Sequence, residues 1–170
     1  MLELIDTYWL YFLVGQYPDG PLGGLVLTIL LSAAALVLAM PLGLMLGIAR
    51  VSPYRTLRWP TSVLVQLVRA VPLLLVLFWV YFFLPAVTGV KTGQATTMLM
   101  VLVLFDGVYL AEIVAAGIRA LPRGQLESAR SLGLSYRQAL RLVVLPQTLQ
   151  SGLPSIVSQF IVALKDTSLG

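Results

Sequence analysis

The sequence predicts an all-α integral membrane protein, and three observations support that prediction. Hydrophobic residues make up 59% of the 170 residues, charged residues only 11%, and the mean hydropathy is +0.94. Soluble domains carry about 45–50% apolar and about 25% charged residues. The apolar residues are gathered in long stretches that lack the period-two alternation of barrel strands. Because a bilayer admits only helices or closed barrels, these stretches are predicted to be membrane-spanning helices.

Four stretches are long enough to cross a bilayer, which takes a helix of about 20 apolar residues. Each holds at most two charged residues, and they cover residues 22–49, 61–87, 95–118 and 140–164. The charged side chains well inside them are Arg69, Asp106 and Glu112. Gly43 and Gly47 lie one helical turn apart in the first stretch, a spacing that permits close helix approach, as between two paired subunits.

The basic residues are sorted by loop. The two loops at residues 50–58 and 119–141 together hold Arg50, Arg55, Arg58, Arg119, Arg123, Arg130, Arg137 and Arg141. The segment before the first stretch has no Lys or Arg, and the other side of the membrane has only Lys91 and Lys165. By the positive-inside rule, both arginine-rich loops are predicted to be cytoplasmic and the N-terminus to lie outside. Since the net charge of +4 reflects this sorting, it does not indicate nucleic-acid binding.

Several functional classes are excluded by what the sequence lacks. Cysteine and histidine are both absent, which removes disulfides, thiolate metal sites and the most common general base. There is no Gly-x4-Gly-Lys-Ser/Thr motif, so the sequence has no phosphate-binding loop of its own. We therefore predict a chain that is not an enzyme and that holds no metal ion or nucleotide cofactor.

Residues 1–21 are predicted to form a separate outer segment, ahead of a transmembrane domain over residues 22–170. The segment starts with acidic residues and lacks a small-residue cleavage site, unlike a secretory signal. Its apolar residues recur near helical spacing, and Tyr8 and Trp9 suit a membrane interface. It is either a short helix on the outer surface or a frayed apolar end.

The loop at residues 119–139 carries helical signals of its own. Pro122 ends the third stretch, Gly133 suits the position just after a helix end, and Ser135 with Gln138 forms a capping box. One face of the first loop helix is predicted to carry Leu126, Ala129 and Leu132. The predicted order is helix, glycine break, capped helix. Such a loop either docks on a cytosolic partner or is a solvated hairpin that only joins two spans.

The loop resembles the EAA loop of ABC-importer permeases. The sequence reads Glu127-Ser128-Ala129, three residues, Gly133, nine residues, Val143, one residue and Leu145-Pro146. This spacing matches the family pattern of Glu-Ala-Ala, Gly and Ile-x-Leu-Pro, from which Ser128 and Val143 depart mildly.

Further stretches are similar to the polar amino-acid permeases of the same superfamily. They read Arg69-Ala70-Val71-Pro72-Leu73-Leu74, Tyr109-Leu110-Ala111-Glu112-Ile113, Gly117-Ile118, Arg123-Gly124-Gln125 and Lys165-Asp166-Thr167-Ser168-Leu169. With the loop they cover most of residues 22–169. The likeness is to glutamate/aspartate and general L-amino-acid permease subunits.

The resemblance implies a type I ABC-importer permease fold, with four transmembrane helices present, a fifth expected after Leu169, and a cytoplasmic coupling helix. It implies a subunit of a binding-protein-dependent, ATP-driven importer of acidic or polar L-amino acids in the bacterial inner membrane. The implied partners are a cytoplasmic ABC ATPase dimer that binds ATP and Mg²⁺, a second permease copy or paralogue, and a periplasmic or extracellular amino-acid-binding protein. The alternative is a membrane scaffold or docking subunit without its own solute path.

The resemblance also assigns site residues. Those expected to couple the chain to the ATPase are Arg123, Glu127, Ser128, Ala129, Gly133, Leu145 and Pro146. The candidates for the solute path are Arg69, Pro72, Asp106, Tyr109, Glu112, Lys165, Asp166, Thr167 and Ser168.

The residues alone leave alternatives open for these path candidates. Arg69 either binds a substrate carboxylate, pairs with Glu112, or reaches water at the membrane edge. Glu112 either lines the path, forms an interhelical ion pair or reaches water near the cytoplasmic end; the last two are favoured because Gly117 and Arg119 indicate a nearby membrane edge. Asp106 lies six residues earlier and faces another side of the helix; it is favoured for the path, or else it holds an arginine in place. Residues 165–168 either lie at the external mouth or form a solvated helix end.

Overall fold

The computed structural model describes residues 2–89 and 93–169, apart from the side chains of residues 2–7 and of Arg123. Lys91, a predicted outer cation, lies outside the described residues. The helices are α1 (Leu2–Val14), α2 (Gly24–Arg50), α3 (Arg55–Ala70), α4 (Leu73–Phe78), α5 (Leu84–Thr88), α6 (Gln94–Ala120), α7 (Arg123–Ser131), α8 (Tyr136–Ala139) and α9 (Leu145–Asp166). Single π-helical turns, Trp79–Phe83 and Leu140–Val144, join α4 to α5 and α8 to α9, and a 3₁₀ turn, Thr167–Leu169, follows α9.

Helices α2 and α6 form the centre of the bundle and pack through small residues. The buried face of α2 carries Ser32, Ala35, Ala39, Gly43, Gly47 and Arg50. A Cβ atom at Gly43 would lie 2.5 Å from the Cβ of Leu110, and one at Gly47 would lie 2.7 Å from the Cβ of Val114. The predicted small-residue spacing is therefore used inside this chain, where it brings α2 against α6, and not between two subunits.

The two central helices run in the same direction. Near their N-terminal ends Ala35 packs in one cluster with Leu102, and further along Gly47 meets Val114. Residue numbers therefore increase in the same direction along α2 and α6. A chain that leaves the end of α2 must return to the other end of the bundle before α6 begins, so residues 51–93 have to make that return.

We call the two ends of the bundle the loop end and the opposite end. At the loop end, a cavity is lined by residues from just after α2, from the end of α6 and from the π turn, including Val51, Ile118 and Leu140. At the opposite end, a cavity brings together the starts of α2 and α6 and the end of α9, including Thr28, Gln94 and Thr167.

The return is made by two helical pieces at a sharp angle. Helices α3 and α4–α5 are bent by 93°, so the stretch predicted as a span over residues 61–87 is not one straight helix. Val71 is extended, with φ −96° and ψ 131°, because a residue before proline avoids the helical region and Pro72 has no N–H to donate. Leu73 and Leu77 then pack against the α2–α6 cluster towards the opposite end.

Helix α9 runs antiparallel to α6 along most of its length. A Cβ on Gly117 would lie 2.7 Å from Thr148 Cγ2, and eleven residues later Gln159 bonds to Asp106. Residue 117 therefore lies beside the start of α9, and residue 106 lies beside its later part. Helix α9 thus extends alongside α6 over these residues.

By length and apolarity, α2 and α6 are long enough to cross a membrane among the described residues, and the bent pair α3 with α4–α5 makes a third crossing if it counts as one span. The predicted fourth span, residues 140–164, is not among them. Its helix has 22 residues, but it is interrupted by Gln147, Gln150 and Gln159 together with three serines. The case for α9 as a crossing therefore rests on its packing along α6.

The close approach of α2 and α6 yields a testable prediction. Substituting Gly43 with Leu forces the two helices apart, because Leu110 Cβ and the carbonyl oxygen of Gly107 occupy the space. Overpacking of this kind costs about 1–3 kcal/mol. The purified protein in detergent should unfold at a lower temperature than the parent. Met45→Leu is the control on the same helix, since Met45 is 71% exposed; equal melting temperatures for the two variants would contradict the packing.

Candidate functional site

The loop at residues 119–139 folds as predicted, into two helices separated by a glycine. Gly133 has φ +87°, a left-handed conformation that favours glycine. Its N–H donates to the carbonyl of Arg130 at 3.0 Å, and the N–H of Leu134 donates to the carbonyl of Ala129 at 3.3 Å. These two bonds form the Schellman motif that ends a helix. The prediction that Gly133 follows the end of the first loop helix is confirmed.

The second loop helix is capped as predicted. The N–H of Ser135 donates to Gln138 Oε1 at 2.9 Å, and the N–H of Gln138 donates to Ser135 Oγ at 3.4 Å. This reciprocal pair is a capping box. We call the whole unit, residues 123–139, the hairpin. Two local devices therefore define its turn without help from the rest of the bundle.

The hairpin touches the bundle on one side only. Ala129 is buried and Leu126 half-buried, while Glu127 and Ser128 are exposed. The prediction that Leu132 shares one face with Leu126 and Ala129 is wrong: it is 85% exposed. Leu132 is the C-cap residue, with ψ 8°, so it has already left the helical path that would carry its side chain inwards.

The remaining coupling candidates lie beside this surface. Leu145 is half-buried and Pro146 exposed at the start of α9. The next residue, Gln147, donates from Nε2 to Gln125 Oε1 at 3.3 Å, which links α9 to α7. The side chain of Arg123, also predicted to couple, lies outside the described residues.

Three charged side chains from three helices meet near the loop end. Glu112 Oε2 on α6 accepts a hydrogen bond from Arg50 at 2.6 Å and from Arg69 at 2.7 Å. The guanidinium carbon of Arg69 also lies 5.3 Å from the ring centroid of Tyr109, within cation–π range. We call Arg50, Arg69, Tyr109 and Glu112 the arginine cluster. The favoured pairing of Glu112 with an arginine is confirmed.

Arg50 is the member that the sequence does not single out. It is the last residue of α2 and its side chain is 7% exposed, compared with 30% for Glu112 and 38% for Arg69. In sequence it is one cation among several next to a predicted membrane edge. The signal that points to it is Glu112 itself, since a carboxylate within a span needs a partner.

The cluster carries a net charge of +1 and ties α2, α3 and α6 together. Breaking a buried ion pair is costly because the remaining charge keeps its desolvation penalty without compensation. Arg50 Nε has no hydrogen-bond partner within the described part of the chain, and the ion pair described for this buried guanidinium is the one with Glu112. The cluster therefore fixes how the ends of α2 and α3 sit against α6.

Asp106 occupies a separate place between α6 and α9. Its Oδ1 accepts a hydrogen bond from Gln159 Nε2 at 2.8 Å. Asp106 is 1% exposed and Gln159 8% exposed, and Asp106 Oδ2 has no hydrogen-bond partner. Gln159 is a further residue that the sequence does not single out. Its position as an amide side chain among the apolar residues near the end of α9 could have indicated a polar partner. Asp106 and Glu112 face different sides of α6, as predicted.

The other path candidates lie apart from these two sites. Pro72 is exposed at the bend between α3 and α4. At the opposite end, Asp166 and Thr167 are half-buried, while Lys165 and Ser168 are exposed. The structure thus brings Arg69, Tyr109 and Glu112 together but leaves the others distributed along the bundle. Within the described residues, no group of three or more acidic side chains could hold a metal ion.

Residues 39–170 match the family model of the binding-protein-dependent transport system inner membrane component. The chain belongs to this family. The matched region starts within α2 and includes the arginine cluster, the hairpin and α9. As a family member with long apolar helices, the chain is an integral inner membrane protein.

Known relatives are amino-acid permeases by name. The chain is 39% identical over 146 residues to the probable glutamine ABC transporter permease protein GlnP of Bacillus subtilis, covering 86% of this chain and 66% of that protein. It is 36% identical over 171 residues to the glutamate transport system permease protein GluD of Corynebacterium glutamicum, covering 99% and 63%. It is 33% identical over 155 residues to the glutamate/aspartate import permease protein GltK of Escherichia coli O157:H7, covering 87% and 69%. The chain thus spans about two thirds of the length of these relatives.

Solved structures agree with the fold. A crystal structure of an amino acid ABC transporter with histidines superposes with a TM-score of 0.75 at 30% identity, covering 85% of this chain and 67% of that chain. An inward-facing structure of the MetNI methionine ABC transporter superposes with a TM-score of 0.69 at 22% identity, covering 86% and 68%; this second likeness shows the fold alone. The predicted all-α fold of a type I ABC-importer permease is confirmed.

The geometry of the arginine cluster predicts unequal effects for its members. Glu112→Gln leaves two guanidiniums facing each other without a carboxylate, and should destabilise the protein by about 3 kcal/mol, the lower end of the range for breaking a buried pair. Arg69→Gln should cost clearly less, because Arg50 and Glu112 still pair. Thermal unfolding of the purified variants measures both. Equal losses, or no loss for Glu112→Gln, would show that the shared carboxylate does not hold the three helices.

Proposed function

We propose that this chain is the membrane-spanning permease subunit of a binding-protein-dependent, ATP-driven importer of polar L-amino acids, with glutamate, aspartate and glutamine as the first candidates. The observation that carries the proposal is the family match over residues 39–170, which includes both the membrane helices and the exposed hairpin. The substrate class is supported by the names of the relatives, which are glutamine and glutamate or aspartate permeases.

The hairpin is the proposed contact with a cytoplasmic ABC ATPase. Its exposed residues include Ser128, the 85% exposed Leu132, and Glu127, which borders the cavity at the loop end. An exposed leucine next to polar side chains suits a protein groove better than bulk water, since its burial on docking would be favourable. ATP and Mg²⁺ would be bound by that ATPase. The loop end would then face the cytosol and the N-terminus the outside, in agreement with the sorting of the arginines.

Movement of the hairpin would reach the membrane through α6. Only Leu121 and Pro122 separate the end of α6 from the start of α7. Because this connection is short, a displacement of α7 would also move the end of α6. The arginine cluster lies 8 residues before the end of α6, at Glu112, and connects α6 to α2 and α3. We infer that the ATPase drives alternating access by shifting α6 together with the helices that it contacts, α9 on one side and the ends of α2 and α3 on the other.

Solute handling is proposed for two regions. The arginine cluster carries a net positive charge beside an aromatic ring, and a positively charged site attracts the carboxylate groups that every L-amino acid carries. At the opposite end, residues Lys165–Ser168 would lie where an external amino-acid-binding protein delivers its ligand. A second permease copy or paralogue would complete the path.

The proposal is tested by ATP hydrolysis in lipid nanodiscs. The permease is co-expressed with candidate ABC ATPase and binding-protein subunits, and the purified complex is challenged with a panel of amino acids. Stimulation by glutamate, aspartate or glutamine in the presence of the binding protein is the expected result. A complex that assembles but responds to no amino acid would instead favour a scaffold or docking subunit.

A matched pair of glycine variants tests the coupling role of the hairpin. Gly133 and Gly89 both have left-handed backbones, φ +87° and +71°, and among the described residues no atom beyond the adjacent residues lies within 4 Å of a Cβ built on either. Valine at either position therefore introduces similar backbone strain, about 1–2 kcal/mol, without a steric clash. Gly133→Val should abolish stimulated ATP hydrolysis while membrane insertion persists, whereas Gly89→Val should retain it. Equal activity of the two variants would contradict a coupling role for the hairpin.

A further inference from the structure

Helix α3 has three distinct faces, which is unusual for a helix beside membrane spans. Its polar side chains recur every three or four residues and are Arg55, Arg58, Ser62, Gln66 and Arg69. A second set, spaced in the same way, is apolar and comprises Leu57, Pro60, Leu64 and Leu67. At 3.6 residues per turn these two sets lie on opposite sides of the helix.

The third face of α3 is the one that contacts the rest of the chain. Val65 is fully buried against Val108 and Ala111 of α6, and Val68 packs on the same cluster. This face lies between the polar and the apolar sides. The helix therefore rests sideways on the bundle, with its apolar side uncovered: Leu57, Leu64 and Leu67 are 49%, 47% and 64% exposed.

The direction of α3 follows from the bend. The neighbouring segment α4–α5 runs along α6 towards the opposite end, since Leu73 and Leu77 pack beside Met98 and Leu102 and Tyr81 lies with Gln94. Helix α3 is bent by 93° from that segment, so it lies at about a right angle to α4–α5. Its packing and ion-pair contacts with α6 include Val108, Ala111 and Glu112.

We propose that α3 lies in the plane of the membrane at the loop end and binds anionic phospholipid headgroups through Arg55 and Arg58. An amphipathic helix with arginines on one face and leucines on the other takes this position, with its apolar face in the acyl boundary. Only the choice of the cytoplasmic leaflet rests on the orientation given under the proposed function.

The charges of α3 support a lipid as the occupant of its uncovered side. Among the residues that the structure describes, Arg55 and Arg58 have no acidic partner within 4 Å, since the ion pairs there involve Arg50 and Arg69. Trp59, 65% exposed, and Tyr54, 71% exposed, stand beside them, and both residue types are enriched at membrane interfaces. A protein partner would need acidic groups opposite the arginines and an apolar face opposite the leucines at once, whereas an anionic lipid supplies both in one molecule.

Spin labels along α3 test its direction in the assembled complex in nanodiscs. The 170 residues contain no cysteine, so single cysteines at Leu57, Leu64 and Leu67 can each carry a label, with Gln66 as the matched position on the polar face. An in-plane helix places the first three labels at one depth in the acyl region and the Gln66 label in contact with water.

Two outcomes of the labelling would overturn the proposal. A depth that increases by about 15 Å from position 57 to position 67, the rise of ten helical residues, would mean that α3 is part of a span. Labels shielded from both oxygen and a water-soluble nickel complex would mean that protein, such as a second permease copy, covers this face.

Lipid retention tests the headgroup site separately. Native mass spectrometry of the complex measures how much phosphatidylglycerol stays bound in competition with phosphatidylcholine. Each arginine near an anionic surface contributes about a fivefold preference, so Arg55→Gln with Arg58→Gln should lower the retention ratio roughly 25-fold. Arg55→Lys with Arg58→Lys keeps the charge and should retain most of the preference. An unchanged ratio in the glutamine variant would overturn headgroup binding.

Discussion

The close packing of α2 on α6 is the constraint on which the rest of the structure depends. Because Gly43 and Gly47 have no side chains, the two helices approach until Leu110 and Val114 fill the space. They do so in parallel, and a parallel pair obliges the connecting chain to return to the opposite end of the bundle. The chain makes this return through α3, the bend at Val71–Pro72 and the short α4–α5. Van der Waals contact of this kind is the main source of helix association in a bilayer, where burial of apolar surface contributes little.

Helix α6 contacts the other main helices of the bundle and leads into the hairpin. It meets α2 through small residues, α3 and α2 through Glu112, and α9 through Asp106, and it ends at the hairpin. The two polar contacts face different sides of the helix. A displacement that begins at the hairpin would therefore be shared between α9 on one side and the ends of α2 and α3 on the other. This arrangement gives a physical route from a cytoplasmic partner to the membrane helices.

The features predictable from sequence are those determined by neighbouring residues. The turn at Gly133 and the capping box of Ser135 with Gln138 depend on a few consecutive positions, and both are present. The apolar stretches predicted α2 and α6 as spans because composition alone determines them. An ion pair was among the favoured predictions for Glu112 because Gly117 and Arg119 indicate that the membrane edge is close.

The features that could not be predicted depend on contacts between distant segments. Arg50 in sequence is an ordinary loop cation, and its burial follows from where α2 ends against α6. Gln159 pairs with Asp106 only because α9 runs back along α6 in one register. The bend within the second predicted span was not predicted because apolar composition does not reveal a bend, although Pro72 marks the place. Leu132 was assigned to the face of Leu126 and Ala129 because helical periodicity was extended one residue past the end of α7.

The central claim is that the hairpin is the surface through which an ATPase acts on this permease, and site-specific photocrosslinking tests it most directly. A photoreactive amino acid is placed at Leu132, 85% exposed at the hairpin, and, in a separate variant, at Val87, 67% exposed on α5 towards the opposite end. The complex is illuminated in nanodiscs with the ATPase and binding protein present. The account predicts an adduct with the ATPase from position 132 and none from position 87. No ATPase adduct from position 132 in an intact complex, or equal adducts from both positions, would contradict it.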